Sequence, residues 1–278
     1  MRALTGGMDS TIDVLVPERG KPVVMRRYLD KGSPDSAIAL ACREAEVLRA
    51  LKLTSVAAPG LVAVDRRGEH CGTPSVLTEF MDGSREVPGD PRTLAAGLAR
   101  TMVTIHDTSP PAVDGLPDAT GLVLSALSEE CPDLHGQSPS ATMWSLVRDQ
   151  PAPSEMGPQT LIHNDFAPHN TLFVGDRLSG VVDWTLAAAG HPASEVSFCR
   201  LNVALVLGLD AGDLVLEAAQ IGAPLTDRGW WDLVAAARVE PDLHSWTQSA
   251  NYFGPPDVTV QDVADRFDRF LRGALAAT

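Results

Sequence analysis

The chain has 278 residues, enough to bury a substantial core in one large domain or two modest lobes. Lys and Arg number 22 against 36 Asp and Glu, a formal charge of −14 with a pI near 4.8. That balance argues against a nucleic-acid partner, because little would neutralise a phosphate backbone, and it is compatible with a cationic small molecule. The four cysteines, Cys42, Cys71, Cys131 and Cys199, show neither a CxxC pair nor zinc spacing and read as reduced, packed thiols. No apolar run approaches the length of a membrane span, and Met1-Arg2-Ala3 does not open a secretory signal, so a cytoplasmic protein is expected.

In chain order, Ala3-Leu4, a loop over Thr5 to Thr11, and Ile12 to Val16 read as strand, loop, strand. Gly6 and Gly7 would let backbone amides approach an anion that a side chain would block, and Ser10 or Thr11 adds a hydroxyl donor. After the turn signal Pro17-Glu18-Arg19-Gly20, the stretch Pro22 to Leu29 alternates, with Val24, Arg26 and Tyr28 on one face. Ser33-Pro34 then starts a helix expected to run to about Leu51. Its apolar stripe is Leu40, Val47, Leu48 and Leu51, and Glu44 falls on that stripe while Glu46 falls on the polar face. A carboxylate on a buried face is costly unless paired, which makes Arg26 the natural partner of Glu44. Two further strands are expected over Leu61 to Val64 and over Ser75 to Met81.

Asp90-Pro91 caps a helix carrying Leu94, Leu98, Met102 and Ile105 at helical spacing, ending at His106-Asp107. Gly121 to about Arg148 reads as helix interrupted at Cys131-Pro132. The stretch LIHNDFAPHNTLFVGDRLSGVVDW, Leu161 to Trp184, sets polar groups between strongly apolar strand-like runs. His163, Asp165 and Asn170 are residues that a packed hairpin would not choose, and Asp183 follows at the end of a returning strand. Phosphoryl transfer from a nucleotide needs a group to take the hydroxyl proton and oxygen ligands for magnesium. A catalytic Asp, a metal-binding Asn five residues later and a further Asp beyond a hairpin is the order used by protein kinases, and Asp165, Asn170 and Asp183 reproduce it.

His163-Asn164-Asp165-Phe166-Ala167-Pro168-His169-Asn170, followed by Val182-Asp183-Trp184, resembles the signature of the aminoglycoside phosphotransferase/choline kinase family. The family more often has Gly where Asn164 stands. The resemblance implies an α+β, bilobal protein-kinase-like fold: a nucleotide-binding lobe over 1–79, with a small antiparallel sheet and one helix, and a larger, mainly helical catalytic and substrate-binding lobe over 80–278. It implies transfer of the γ-phosphoryl group of ATP or GTP to a hydroxyl of a small molecule, such as an aminoglycoside-like antibiotic or other cationic alcohol, with Mg²⁺ required. Asp165 would orient the hydroxyl and accept its proton, and Asn170 and Asp183 would bind Mg²⁺. Arg26 would hold the phosphates, Glu44 would position Arg26, and Gly6, Gly7 and Ser10 would line the phosphate loop. The main chain around Glu79 to Met81 would meet the base.

The same resemblance places Gly190 to Val196 at the family's Gly-x-Pro-x-x-Asp segment, with Glu195 anchoring the catalytic loop. His163 reads as a brace for that loop and His106 as a structural hydrogen-bonder. Asp210, Asp213, Glu217, Glu240 and Asp242 are candidate contacts for a cation. Two alternatives stay open: a protein kinase, against which Asp183-Trp184-Thr185 lacks the usual Phe-Gly, and a nucleotide-binding regulator of the same fold without turnover.

Overall fold

The computed structural model describes residues 2–4, 10–29, 34–108, 115–130, 138–149, 159–221, 225, 227–247, 253–255 and 257–278. Gly6, Gly7, Ser33 and Cys131 lie outside them. The chain divides into two units: Met1–Gly83 with Ser179–Ala187, and Ser84–Leu178 with Ala188–Thr278. The nine residues after Leu178 thus join the first unit, a return of the chain that a single cut after residue 79 does not contain.

The first unit is built on an antiparallel sheet of β1 (Arg2–Leu4), β2 (Ser10–Leu15), β3 (Val23–Tyr28), β4 (Leu61–Asp65) and β5 (Ser75–Glu79), in the order β1-β2-β3-β5-β4. The central strand is β3. Its register sets Arg26 opposite Ile12 on one side and Val76 on the other. The helix α1 (Pro34–Leu51) packs on this sheet through β3, β4 and β5. The 3.6-residue period decides which side it buries: Ala37, Ala41, Ala45, Val47, Leu48 and Leu51 are buried, Glu44 with them, and Glu46 is exposed. Gly68, at φ +75°, turns the chain after β4 so tightly that a Cβ there would lie 2.5 Å from the Thr73 backbone nitrogen.

The second unit is mainly helical. Helix α2 (Pro91–His106) begins where the Asp90 carboxylate accepts the N–H groups of Arg92 and Thr93, and it buries Leu94, Leu98, Met102 and Ile105. Helices α3 (Ala119–Glu130) and α4 (Pro139–Asp149) follow. The strand β6 (Thr160–Ile162) pairs antiparallel with β9 (Ala188–Gly190). Between them lie β7 (Thr171–Val174) and β8 (Arg177–Val181), and the boundary between the two units falls inside the latter. Then come α5 (Pro192–Leu207), α6 (Leu209–Gln220), α7 (Arg228–Val239) and α8 (Val260–Ala276), the last opened by a capping box of Thr259 and Asp262. Met143, Trp144, Leu201, Leu205, Trp231, Phe267 and Leu271 belong to one apolar core drawn from α4, α5, α7 and α8.

One ion pair is sunk into that core region. Arg200 donates to Asp232 at 2.5 Å and to Asp213 at 2.7 Å, and Asp232 is only 1% exposed. Arg200 also lies 4.7 Å from the centre of the Phe270 ring. Replacing Arg200 with Met leaves the buried carboxylate only its Ser197 hydrogen bond and the charge of Arg228, and the expected loss is about 3–5 kcal/mol of unfolding free energy. Denaturant unfolding of Arg200→Met and of the Arg200→Met/Asp232→Leu double variant checks this, the double variant being expected to recover much of the loss.

Candidate active site

In the first unit, the helical phase of α1 and the central position of β3 bring three of the expected residues together. The Arg26 guanidinium donates to Asp183 Oδ1 at 2.7 Å and lies 3.7 Å from Glu44 Oε2. The Tyr28 hydroxyl also donates to Glu44, and the Trp184 backbone N–H bonds to the same carboxylate. Burial pushes the Glu44 carboxyl above the usual range, while Arg26 pulls it the other way. For Arg26, burial works against the charge, but Glu44 and Asp183 outweigh it and raise its pKa. Tyr28 is held well above the usual phenol range by burial and by Glu44, so its proton stays on the hydroxyl.

Asp183 has left-handed backbone angles, φ 68° and ψ 59°, at the start of a 3-10 turn over Trp184–Leu186. Thr185 Oγ1 donates to the same Asp183 oxygen at 2.8 Å. Asp tolerates this conformation better than branched residues do. Ser10 is buried at the first position of β2. Glu79 is exposed at the end of β5 and Met81 is half-buried. The N–H of Glu79 is committed to Gly60 O at 2.8 Å and that of Phe80 to Pro22 O at 3.2 Å.

In the second unit, Asp165 and Asn170 are brought together by a 3-10 turn over Pro168–Asn170. Asn170 Nδ2 donates to Asp165 Oδ2 at 2.9 Å and to the Asp165 carbonyl at 3.0 Å. Both amide hydrogens are thereby directed at Asp165, which turns the Asn170 oxygen away from it. Asn170, its nitrogen committed to Asp165, keeps an oxygen, the donor type magnesium prefers. Among the described residues no group of three or more His, Cys, Asp and Glu gathers into a dedicated metal cage. His169 Nε2 sits 3.8 Å from Asp165 Oδ1. His163 is fully buried with its ring edge-on to Phe166 at 6.2 Å.

The loop is held from behind. Asn164 has φ +63°, which explains why a residue tolerant of the left-handed region stands next to Asp165. Its N–H donates to Glu195 Oε1 at 2.9 Å, and Glu195 Oε2 lies 2.8 Å from His106 Nε2. The extra methylene of Glu195 is accommodated without loss of the backbone bond. On the other side Arg238 Nη2 donates to Asn164 O at 2.9 Å, its Nη1 reaches Asn164 Oδ1 at 3.4 Å, and its guanidinium lies 4.4 Å from the Phe198 ring centre. Burial lowers the Arg238 pKa, opposed by the charges of Asp165 and Glu195.

Sequence reasoning missed Arg238. The available signal was an arginine on the otherwise apolar Trp231, Val234, Ala235 face of α7. Among the five acids considered as cation contacts, three have partners. Asp213 binds Arg200, Glu240 accepts from Ser140 and Trp144, and Asp242 lies 3.3 Å from His244.

Two consequences are measurable. Asn164→Gly preserves the φ the loop needs, so unfolding free energy is expected to change by about 1 kcal/mol or less. Asn164→Val cannot adopt that φ comfortably and is expected to cost about 1–3 kcal/mol in the same denaturant titration.

The second concerns His191, which caps α5 by accepting the Ala193 N–H at its Nδ1 and stacks on Trp231 at 5.3 Å. Burial depresses its pKa below the ordinary 6.5. As the pH falls through 6.5, the unfolded chain therefore takes up a proton that the folded one does not, and stability is lost down to the folded-state value. Thermal melts between pH 7.5 and 5.5 are expected to show a smaller acid-side fall in Tm for His191→Asn, which keeps a cap acceptor without titrating.

The model of the Phosphotransferase enzyme family matches residues 1–233. The chain is 28% identical over 195 residues to homoserine kinase of Rhodopseudomonas palustris (strain BisB5), covering 60% of this chain and 58% of that one. With homoserine kinase of Brucella ovis it shares 30% over 139 residues, 48% of this chain and 42% of the relative. It therefore spans about half the length of the curated relatives it matches.

Among solved structures, a thermostable mutant of aminoglycoside phosphotransferase APH(4)-Ia, in ternary complex with AMP-PNP and hygromycin B, aligns with TM-score 0.64 at 16% identity over 99% of this chain and 94% of that one. The macrolide 2'-phosphotransferase MphH of Brachybacterium faecium aligns with TM-score 0.62 at 17% identity, over 96% and 91%. These likenesses show the α+β, protein-kinase-like fold. No helix among the described residues is long and apolar enough to cross a membrane. With its family model matched over most of its length, the chain belongs to the Phosphotransferase enzyme family.

Proposed function

We propose that this protein transfers the γ-phosphoryl group of ATP or GTP to a hydroxyl of a small molecule. The observation that carries the reading is the Asp165 carboxylate, fixed by Asn170 Nδ2 at 2.9 Å in a loop whose backbone is tied to Glu195 and Arg238. Such a carboxylate accepts the acceptor's hydroxyl proton as the oxygen bonds to the γ-phosphorus and the bond from that phosphorus to the β,γ-bridging oxygen breaks, releasing a nucleoside diphosphate. Asn170 and Asp183 would supply oxygen ligands to Mg²⁺, which when bound neutralises developing phosphate charge. Arg26 is the proposed phosphate-holding cation, and its place depends on Glu44. The backbone of Gly6 and Gly7 and the Ser10 hydroxyl are proposed for the phosphates, and the main chain from Glu79 to Met81 for the base.

Relatives named homoserine kinase and fold neighbours named for aminoglycosides and macrolides define the acceptors to try. A cationic alcohol is the second reading of the acceptor. Exposed Asp210 and Glu217 on α6 have no ion-pair partner among the described residues and are the acids that would serve it.

The test is nucleoside diphosphate release with Mg·ATP or Mg·GTP across hydroxy amino acids, aminoglycosides, macrolides and choline. Asp165→Asn is expected to lower kcat by about 10²-fold or more, with nucleotide affinity changed by about twofold at most. Binding of nucleotide without phosphorylation of any acceptor would favour a regulator that keeps the fold without turnover. A wild-type rate in Asp165→Asn would remove that residue from the chemistry.

A further inference from the structure

The two oxygens of the Asp165 carboxylate have different neighbours. Oδ2 accepts from Asn170 Nδ2 at 2.9 Å, while His169 Nε2 stands 3.8 Å from Oδ1. That separation is too long for a hydrogen bond, yet it lets a single bridging oxygen lie at about 2.8 Å from both atoms. With 28% of the Asp165 side-chain surface and 20% of that of His169 exposed, the gap between them is open to a small molecule.

The His169 ring is held by packing. It lies tilted against Trp246 and Phe253, ring centres at 6.2 and 6.3 Å, and among the described residues its buried Nδ1 has no hydrogen-bond partner. An ionised carboxylate accepts hydrogen bonds and cannot donate them, so the ring nitrogen turned toward it is assigned the hydrogen. His169 Nε2–H is then a donor aimed at the same gap that Asp165 Oδ1 borders.

Resting on the phosphotransfer reading above, we propose that His169 is a second catalytic residue, its Nε2–H donating to the acceptor's hydroxyl oxygen while that hydroxyl donates to Asp165 Oδ1. The oxygen then has its carbon, its hydrogen and one lone pair committed, and its remaining lone pair is the one that attacks. As the new oxygen–phosphorus bond forms and the bond to the β,γ-bridging oxygen breaks, the hydroxyl proton passes to Asp165 Oδ1. His169 keeps its own proton. A donor to the attacking oxygen withdraws some of its electron density, so the gain comes from orientation and not from activation. The contact reads the hydroxyl alone and is indifferent to the charge of the rest of the acceptor.

Two variants separate donation from packing. His169→Phe keeps a ring against Trp246 and Phe253 without the donor, whereas His169→Gln gives up the ring and sets an amide N–H near the former Nε2. Each is assayed for nucleoside diphosphate release from Mg·ATP and Mg·GTP with homoserine, hygromycin B, a macrolide, choline and water as acceptors, alongside calorimetric binding of AMP-PNP and a thermal melt. With the acceptor that the wild-type protein uses fastest, kcat is expected to fall by roughly ten- to a hundredfold in His169→Phe, with Tm kept and AMP-PNP affinity changed by about twofold at most. His169→Gln is expected to recover most of that kcat even with a lower Tm. Added to Asp165→Asn, His169→Phe is expected to cause little further loss, because both groups act on one hydroxyl.

A wild-type kcat in His169→Phe would overturn the proposal and leave transfer through Asp165 standing. Losses in the two variants that track Tm and ignore the donor would overturn it too, as the mark of a ring that only packs. If His169→Phe does not fold, His169→Gln decides: a kcat within about tenfold of wild type supports donation, and a loss of about a hundredfold or more sinks it. Binding of AMP-PNP by a wild-type protein that releases no diphosphate with any acceptor would sink the phosphotransfer reading and this proposal together.

Discussion

A carboxylate removed from water must be answered by a charge or by donors, and this requirement organises the first unit. Glu44 is on the buried face of α1, where apolar neighbours give it no solvent. It is answered by Arg26 from the centre of the sheet, by Tyr28 two residues along the same strand face and by the Trp184 backbone. Arg26 in turn holds Asp183, only 12% of its side-chain surface being exposed. The helix, the central strand and the returning segment 179–187 are thus tied through a single guanidinium. If one charge is removed, another is left buried without its partner, which is far more costly than losing an exposed ion pair.

The second unit solves the same problem at Glu195. That carboxylate, 2% exposed, takes the Asn164 N–H with one oxygen and His106 with the other. Its bond fixes a left-handed residue directly before Asp165, and Asn170 fixes the Asp165 carboxylate itself. The reacting carboxylate proposed here therefore stands on a loop determined from both sides, the preorganisation that transfer chemistry requires. The chain belongs to the Phosphotransferase enzyme family and shares its fold with solved phosphotransferases at 15–17% identity. At such identity the fold is retained, and a shared fold does not fix the acceptor.

Much of this was legible in the sequence because it was written in short-range periodicity. The 3.6-residue period selected Glu44 over Glu46, the Asp90-Pro91 cap located α2, and the five-residue interval from Asp165 to Asn170 marked a pair whose side chains meet. What was not legible depended on distant partners. Arg238 meets Asn164 across 74 residues and through a backbone carbonyl, which carries no sequence signal. Glu240 was counted among possible ligands for a cation, yet its carboxylate is taken up by Ser140 and Trp144 about a hundred residues earlier. The return of 179–187 to the first unit is likewise a matter of packing at a distance, invisible to local pattern. Gly6 and Gly7 lie outside the described residues.

The central claim is that Glu44, Arg26 and Asp183 act as one charge-coupled unit rather than as three independent contributors. A double-mutant cycle with Glu44→Gln and Asp183→Asn, read as unfolding free energy, measures that coupling directly. The account predicts non-additivity of about 1 kcal/mol or more between the two substitutions, because both act through Arg26. Effects that add within about 0.5 kcal/mol would contradict it.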